Sequence, residues 1–453
     1  MERSRYPEIL WAVVVRGNIE REAALDFFRY VTGFVQRNPE YADLRLTEIA
    51  KLTSEQRTRL IQHISTWSDE VRGLLQSLLI FPNLPGRTEW LAVLGETTDL
   101  NKAVSDLATG VKEMLWHRSE PASDCRWVAF LCFVQSDKMK FSSAISNIKE
   151  TLRAIYEYPN YGDVTHVQSF VRASDMRLGM EDVDLSWVNH FWDECYHKTS
   201  CIPEFTEYTF PYTPEEWDKR HAHYAKETAQ VRKSLISHWF DTSKTTAIDT
   251  RHETAFGIAL HSQALLDEIS IMRLNFSIGG RLALRAIVEA YITLAYLVKK
   301  DDPSIWNAYR EYGVGQAKLI HLKLKELGKH PMSIDPQLIE AIANEDRWQE
   351  FVSINIGHWD DSNLRKNAED AGLKDVYDQY YNWSSGYMHG SWAALRETVY
   401  QKCYNPLHRL HRIPNFGLPI LSDVMEDAID ISNKTLGLLA TSYPTYADRV
   451  KGF

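Results

Sequence analysis

Cysteine is scarce in this sequence and does not pair. There are five in 453 residues, an odd number with no recurring spacing. That excludes a disulfide-stapled secreted scaffold and makes a reduced, cytoplasmic compartment the expectation. Long hydrophobic runs are missing too. The longest, ILWAVVV (9–15) and WVAFLCFV (127–134), fall far below the ~20 residues a membrane helix requires, so no membrane is expected as a partner. The opening MERSRYPEIL has neither the apolar core nor the small-residue cleavage site of a secretory leader. Positive charge is not in excess either. A formal net charge of −10 disfavours a sequence-independent grip on nucleic acid but does not exclude a local basic pocket.

Common catalytic signatures are absent as well. GVGQAK (313–318) lacks the last glycine of a phosphate-cradling loop and follows no strand. HExxH, CxxC and GxSxG do not occur, which removes the usual anchors of metalloprotease, zinc-ribbon and α/β-hydrolase assignments. One segment, HFWDECYHKTSC (190–201), gathers four side chains able to ligate zinc: His190, Cys195, His197 and Cys201. Four ligands so close on one segment rarely close a tetrahedron, and no second half of a finger follows. Buried thiols and surface imidazoles are therefore expected, and neither a metal nor a cofactor is assigned.

What the sequence does have is helical periodicity. In 53–81 the apolar Leu60, Ile61, Ile64, Trp67, Val71, Leu74 and Leu75 recur at three- and four-residue spacing, which predicts one helix. Residues 18–35 repeat that rhythm, with Asn18 as the expected cap. The continuous apolar run 125–134 fits a buried strand or a buried helix equally. Pro203, Pro211 and Pro214 interrupt 201–217, which ends in the capping box Thr213-Pro214-Glu215-Glu216 with proline at the first helical position. A domain junction is expected there. Residues 1–213 would form a mainly helical domain with a sensing or regulatory role, and 214–453 a helical domain carrying the site. Further helices are predicted at 214–240, 247–276, 279–299, 304–327, 336–350, 373–400 and 419–441. The expected fold class is all-α, with two helical domains.

Two of those helices carry the candidate site. On GGRLALRAIVEAYITLAYL (279–297), Arg281, Arg285 and Glu289 are spaced by four and share a stripe about 80° wide, opposite the apolar Leu282, Ile287, Ile292 and Leu294. On YNWSSGYMHGSWAALRE (381–397), Tyr381, Ser385, His389, Trp392 and Arg396 share another stripe, with Gly386, Gly390 and Ala394 beside it. Each interior glycine costs a helix about 1 kcal/mol, a cost usually offset by close approach of another element. Ala283, Ala286 and Ala290 offer a matching small face, so a tight crossing beside His389 is expected. In that arrangement His389 acts as acid/base, Arg281 and Arg285 clamp an anion, and Glu289 orients, a set suited to metal-free phosphoester cleavage or nucleotide binding. The competing reading makes Arg285–Glu289 a helix-surface ion pair and His389 a hydrogen-bonding residue of the crossing.

The segments GRLALRAIVEAYITLAYL and LRKNAEDAGLKDVYDQYYNWSSGYMHGSW, with the spacing between them, resemble a bacterial, all-helical family known only as a domain of unknown function. Its Arg…Glu helix and Tyr-x3-Ser-x3-His helix correspond to Arg281, Arg285, Glu289, Tyr381, Ser385 and His389. The resemblance covers roughly 250–400. More distantly the layout is similar to HEPN ribonuclease domains of toxin–antitoxin and antiphage systems. Their signature is arginine, four to six residues, then histidine, which occurs here only as Arg57–His63 and Arg232–His238. The resemblance implies an antiphage-defence or toxin-type effector acting as a metal-independent ribonuclease. His389, Glu289 and Arg285 would be catalytic, and Arg281, Ser385 and Tyr381 would bind substrate. The alternative is a non-enzymatic sensor or adaptor binding a nucleotide or a protein partner. RNA or a nucleotide, a protein trigger reached through 1–213, and a second copy of the chain are the expected partners.

Overall fold

The computed structural model describes residues 6–97, 99–139, 148–178, 185–204, 210–344, 359–360, 362–415, 417 and 419–453. The fold is all-α. Among the described residues the only strands are two three-residue segments, β1 (Tyr400–Lys402) and β2 (Arg412–Pro414), paired with each other. No helix among them is long and apolar enough to cross a membrane. The chain divides into two compact units: residues 1–205 with 402–413, and residues 206–401 with 414–453. A single cut at 214 misses the return of 402–413 to the first unit. The physical reason is side-chain burial: Leu407 joins the first core, and Asn405 donates to Thr199 Oγ1 and the Ser200 carbonyl.

At the centre of the first unit lies α1 (Leu10–Asn18), whose Leu10 to Val15 are all fully buried. The run is apolar on every side because the helix is covered on every side. Around it pack α2 (Arg21–Arg37), α3 (Leu100–Met114) and α4 (Glu120–Gln135). The ambiguous run 125–134 is thus a buried helix. Helix α3 approaches closely enough that a Cβ on Gly17 would stand 2.4 Å from the Gly110 Cα, and only glycine fits both sides of that crossing. Asp124, fully buried on α4, accepts from Arg16 Nε at 2.8 Å and from the Tyr158 hydroxyl at 2.7 Å. Asn18 is not a cap: it ends α1 and donates to Val14 and Asp106 carbonyls. The periodic stretch 53–81 is broken into Ser54–Ser65, Asp69–Gln76 and a 3₁₀ turn, because Ser68 caps a new helix through the Val71 amide. α5 (Ser186–Lys198) adds Trp187, Phe191 and Cys195 to the same core.

The second unit begins with α6 (Pro214–Thr242), started by the expected capping box: Thr213 Oγ1 accepts from the Glu216 amide at 3.3 Å, and Glu216 accepts from the Thr213 amide at 2.9 Å. Helices α7 (Thr250–Ile271), α8 (Ile278–Lys300) and α9 (Pro303–Leu327) follow, then α10 (Leu364–Ala371). The predicted helix 336–350 is described only as Pro336–Ala343; the rest lies outside the described residues. α8 is the central helix, burying Ile287, Ile292 and Leu297 with Phe256 and Leu266 of α7. The predicted helix 373–400 is not continuous. It runs as Lys374–Val376, a π-helical turn Tyr377–Tyr381, α11 (Asn382–Met388) and α12 (Trp392–Thr398). The last helix, α13 (Met425–Ser442), adds Ile431 and Leu436 to the core.

Candidate functional site

Gly386 and Gly390 end α11 rather than admit a neighbour. Gly390 has φ +59°, the left-handed conformation of a helix C-terminal glycine. The Ser391 amide folds back onto the Gly386 carbonyl at 2.9 Å, and a Cβ on Gly386 would stand 2.7 Å from Ser391 Oγ. Ser391 then caps α12. A Cβ on Gly390 meets nothing within 4 Å. The expected glycine-to-alanine crossing with α8 is therefore corrected: the residues serve a helix stop. Ala286 and Ala290 instead line a cavity, and Ala283 is buried in the core.

Helix α8 still holds its polar stripe against this region. Arg285 ion-pairs with Glu289 at 3.3 Å, donates from Nη2 to the Tyr381 hydroxyl, and lies over the Tyr381 ring with its guanidinium carbon 4.5 Å from the centroid. The π-helical turn stacks Tyr377 on Tyr381 with centroids 4.9 Å apart. Burial, then the nearby Glu289 carboxylate, raise the Tyr381 hydroxyl above its ordinary value and keep it protonated. Arg281, one turn earlier and buried, lies 5.8 Å from the Tyr387 ring. Burial, then the hydrogen bond to Glu397, push the Tyr387 hydroxyl up to about 12. The Nε atoms of Arg281 and Arg285 are buried without a hydrogen-bond partner.

Arg285, Glu289 and Tyr381 are thus in direct contact, while Arg281 belongs to a neighbouring cluster with Tyr387. His389 does not join either cluster through a described side-chain hydrogen bond or ion pair. It is exposed at the end of α11, and its amide donates to the Ser385 carbonyl at 3.2 Å. Ser385 is half-buried.

The second unit also contains a cavity of about 790 Å³ bounded by α7, α8 and α9, with Trp359 and Leu364 completing the wall. Of the candidate residues, Glu289 lines it. Its wall is aromatic on one side: Trp359 meets Tyr309 edge to face at 5.3 Å and Tyr296 at 5.8 Å. Its charges are mixed. Arg310 stands 3.7 Å from Glu253, and His261 and Glu289 lie nearby in the lining. Burial, followed by Glu289, raises the Tyr309 hydroxyl and keeps it a neutral donor. Gly257 on α7 and Gly313 on α9 hold space open, since a Cβ on either meets nothing within 4 Å. Sequence reasoning missed this site because its residues lie on three helices with no shared motif. The signal available was His252-Glu253…Gly257 with Tyr309-Arg310…Gly313, two helical stretches each carrying a charge and a glycine on one face.

The four potential ligands of 190–201 do not gather at one point. His190 contacts Asn83 at 2.8 Å, Cys195 is buried in the first core and His197 is exposed on α5. Among the described residues Cys201 joins a group of potential ligands, and the others of that group come from elsewhere in the chain.

No curated protein and no solved structure matches this chain, and nothing among these findings supports the HEPN likeness. Residues 252–402, which span the helices of the cavity, the Arg285–Glu289–Tyr381 cluster and His389, match the model of a family of unknown function (DUF5677).

Proposed function

We propose that the second unit is a non-enzymatic binding module of a cytoplasmic protein, taking a nucleoside or mononucleotide in the cavity between α7, α8 and α9. The observation that carries this reading is the aromatic wall of Trp359 and Tyr309 beside Glu289. An aromatic face takes a flat heterocycle, and a carboxylate accepts hydrogen bonds from its amino or imino edge. The volume of about 790 Å³ suits a ligand of that size. Charge favours few phosphates: Arg310 is offset by Glu253, leaving no surplus of cations for a polyphosphate. Five free thiols support the cytoplasmic part.

RNA cleavage in bacterial defence is the competing reading. It needs His389 and an arginine at one scissile phosphate, whereas Arg285 is engaged by Tyr381 and Glu289. The test is titration calorimetry of the full chain with nucleosides and nucleoside monophosphates. Saturable binding by at least one member is expected, lost in Gly313→Leu, which fills the cavity from an open position, and weakened in Glu289→Gln. Binding indifferent to Gly313→Leu, or none at all up to ~1 mM, a free energy of about −4 kcal/mol, would defeat the proposal. Cleavage of RNA by the intact chain but not by His389→Ala would put the ribonuclease reading in its place.

A further inference from the structure

The residues that Cys201 meets lie in the first unit, apart from the cavity and the Arg285 cluster. Cys201, Cys403, His408 and His411 each direct one ligand atom to a common point, all four atoms lying within 4.8 Å of one another. Cys201 Sγ is 3.5 Å from His408 Nδ1 and 3.3 Å from His411 Nε2, and Cys403 Sγ is 3.5 Å from His408 Nδ1. Arms of ~2.3 Å to sulfur and ~2.05 Å to nitrogen give a tetrahedron sulfur–nitrogen edges of about 3.6 Å. The side chains already stand at those edges. We propose that these four residues bind one zinc ion in a closed Cys2His2 site, which fastens residues 402–413 to the body of the first unit.

The hydrogen bonds behind the site select the right form of His408. Thr199 has a single hydroxyl proton, which it donates to the Cys195 carbonyl at 2.7 Å. In its 3.0 Å contact with His408 Nε2 the hydroxyl must therefore accept, which puts the ring proton on Nε2. The lone pair of the neutral ring then sits on Nδ1, the nitrogen facing both sulfurs. Metal-bound histidines are held in this way, by a partner on the nitrogen that does not ligate. Asn405 fills the remaining lone pair of Thr199 Oγ1 at 2.9 Å, so the arrangement is fully satisfied.

The backbone is shaped to the same end. Arg409 and Leu410 have φ of +52° and +54°, two successive non-glycine residues in the left-handed region. They turn the chain between the histidines, and the Cys403 amide closes on the His411 carbonyl at 2.9 Å. Such a pair persists only where its surroundings hold it. Cys403 and His408 are buried, while Cys201 and His411 are partly exposed and leave a route for the ion. Two thiolates balance the charge of the ion, and two imidazoles complete a nitrogen–sulfur set suited to tetrahedral zinc. Protein fills all four positions, so the site is structural and holds no reactive water.

The experiment uses the full chain, expressed with zinc in the medium and purified without chelator or metal-affinity tag. Elemental analysis should find about one zinc per chain, and Co²⁺ in its place should show tetrahedral ligand-field bands with thiolate charge transfer. His411→Ala and Cys201→Ser, at partly exposed positions, should carry little or no zinc while staying folded by circular dichroism. Thr199→Val should weaken zinc by ~10–100-fold in competition with a chromophoric chelator, the effect expected when the group orienting a ligand is lost. The proposal is overturned by a zinc content near zero in the intact chain, by an octahedral Co²⁺ spectrum, or by a Cys201–Cys403 disulfide in unreduced peptides.

Discussion

Gly390 separates two physical accounts of the same sequence pattern. If it received a neighbouring helix, any side chain would overpack the contact, and leucine would cost ~1–3 kcal/mol beyond alanine. In the structure its cost has another origin. The residue has φ +59°, where a Cβ crowds the following carbonyl by ~1–2 kcal/mol. Beyond that Cβ there is open space to 4 Å. Gly390→Ala should therefore destabilise by about 1–2 kcal/mol and Gly390→Leu by nearly the same amount. Gly390→Asn should lose less, because asparagine tolerates the left-handed region. Urea unfolding of the full chain, followed by far-ultraviolet circular dichroism, measures all three. A leucine variant weaker than the alanine variant by more than ~1 kcal/mol would refute the helix-stop account, that excess being the signature of overpacking. Gly386 supplies a control, since its Cβ would strike Ser391 Oγ at 2.7 Å. The cost of Gly386→Ala should shrink in a Ser391→Gly background, a coupling that a double-mutant cycle reads directly.

Three other outcomes are expected. Tyr381→Phe removes the acceptor of Arg285 Nη2 but keeps the ring beneath the guanidinium, and should cost ~1–3 kcal/mol in urea unfolding; no loss would mean water replaces the hydroxyl freely. Asp124→Ala leaves the buried Arg16 without its 2.8 Å partner and should cost ~3–5 kcal/mol, and a change below ~1 kcal/mol would show the ion-pair network to be dispensable. Glu89 is held down to about 2 from 4.5 chiefly by its hydrogen bond with Arg57, with Ser54 adding. The folded value is depressed, so its stabilisation is complete above pH 4.5 and is lost as pH falls towards about 2. Thermal midpoints of the native chain and Arg57→Ala should converge through that window; parallel curves would assign the linkage to another group.

The local signals were readable where one short stretch settles the matter. Thr213-Pro214-Glu215-Glu216 started α6 as its residues require, and three of the apolar residues opposite the charged stripe, Ile287, Ile292 and Leu294, are buried in α8, whereas Leu282 is only half-buried. Arg281, Arg285 and Glu289 were legible as one stripe because they lie on one helix, and Arg285 with Glu289 forms the ion pair that spacing allows. Glycines at 386 and 390 were ambiguous. Four-residue spacing describes a small helix face and, equally, the third-from-last residue of a helix and the residue just beyond its C-cap, as Gly386 and Gly390 stand to Met388 and His389. The Gly390-Ser391 pair, a stop followed by a cap, was the discriminating signal.

The sequence by itself determined an all-helical chain, the start of α6 at Pro214 and the charged stripe of α8, because helix formation, capping and facial periodicity are set by residues within a few turns. Only the tertiary structure decided the rest. The cavity draws on helices α7, α8 and α9, and its aromatic wall depends on how Trp359 and Tyr309 meet, which no periodicity encodes. Cys201 meets Cys403, His408 and His411 across some two hundred residues of chain, and residues 402–413 belong to the first unit although they lie in sequence between two segments of the second. Contacts that far apart in sequence depend on the cost of closing a long loop and on the burial that offsets it, and both are properties of the assembled fold.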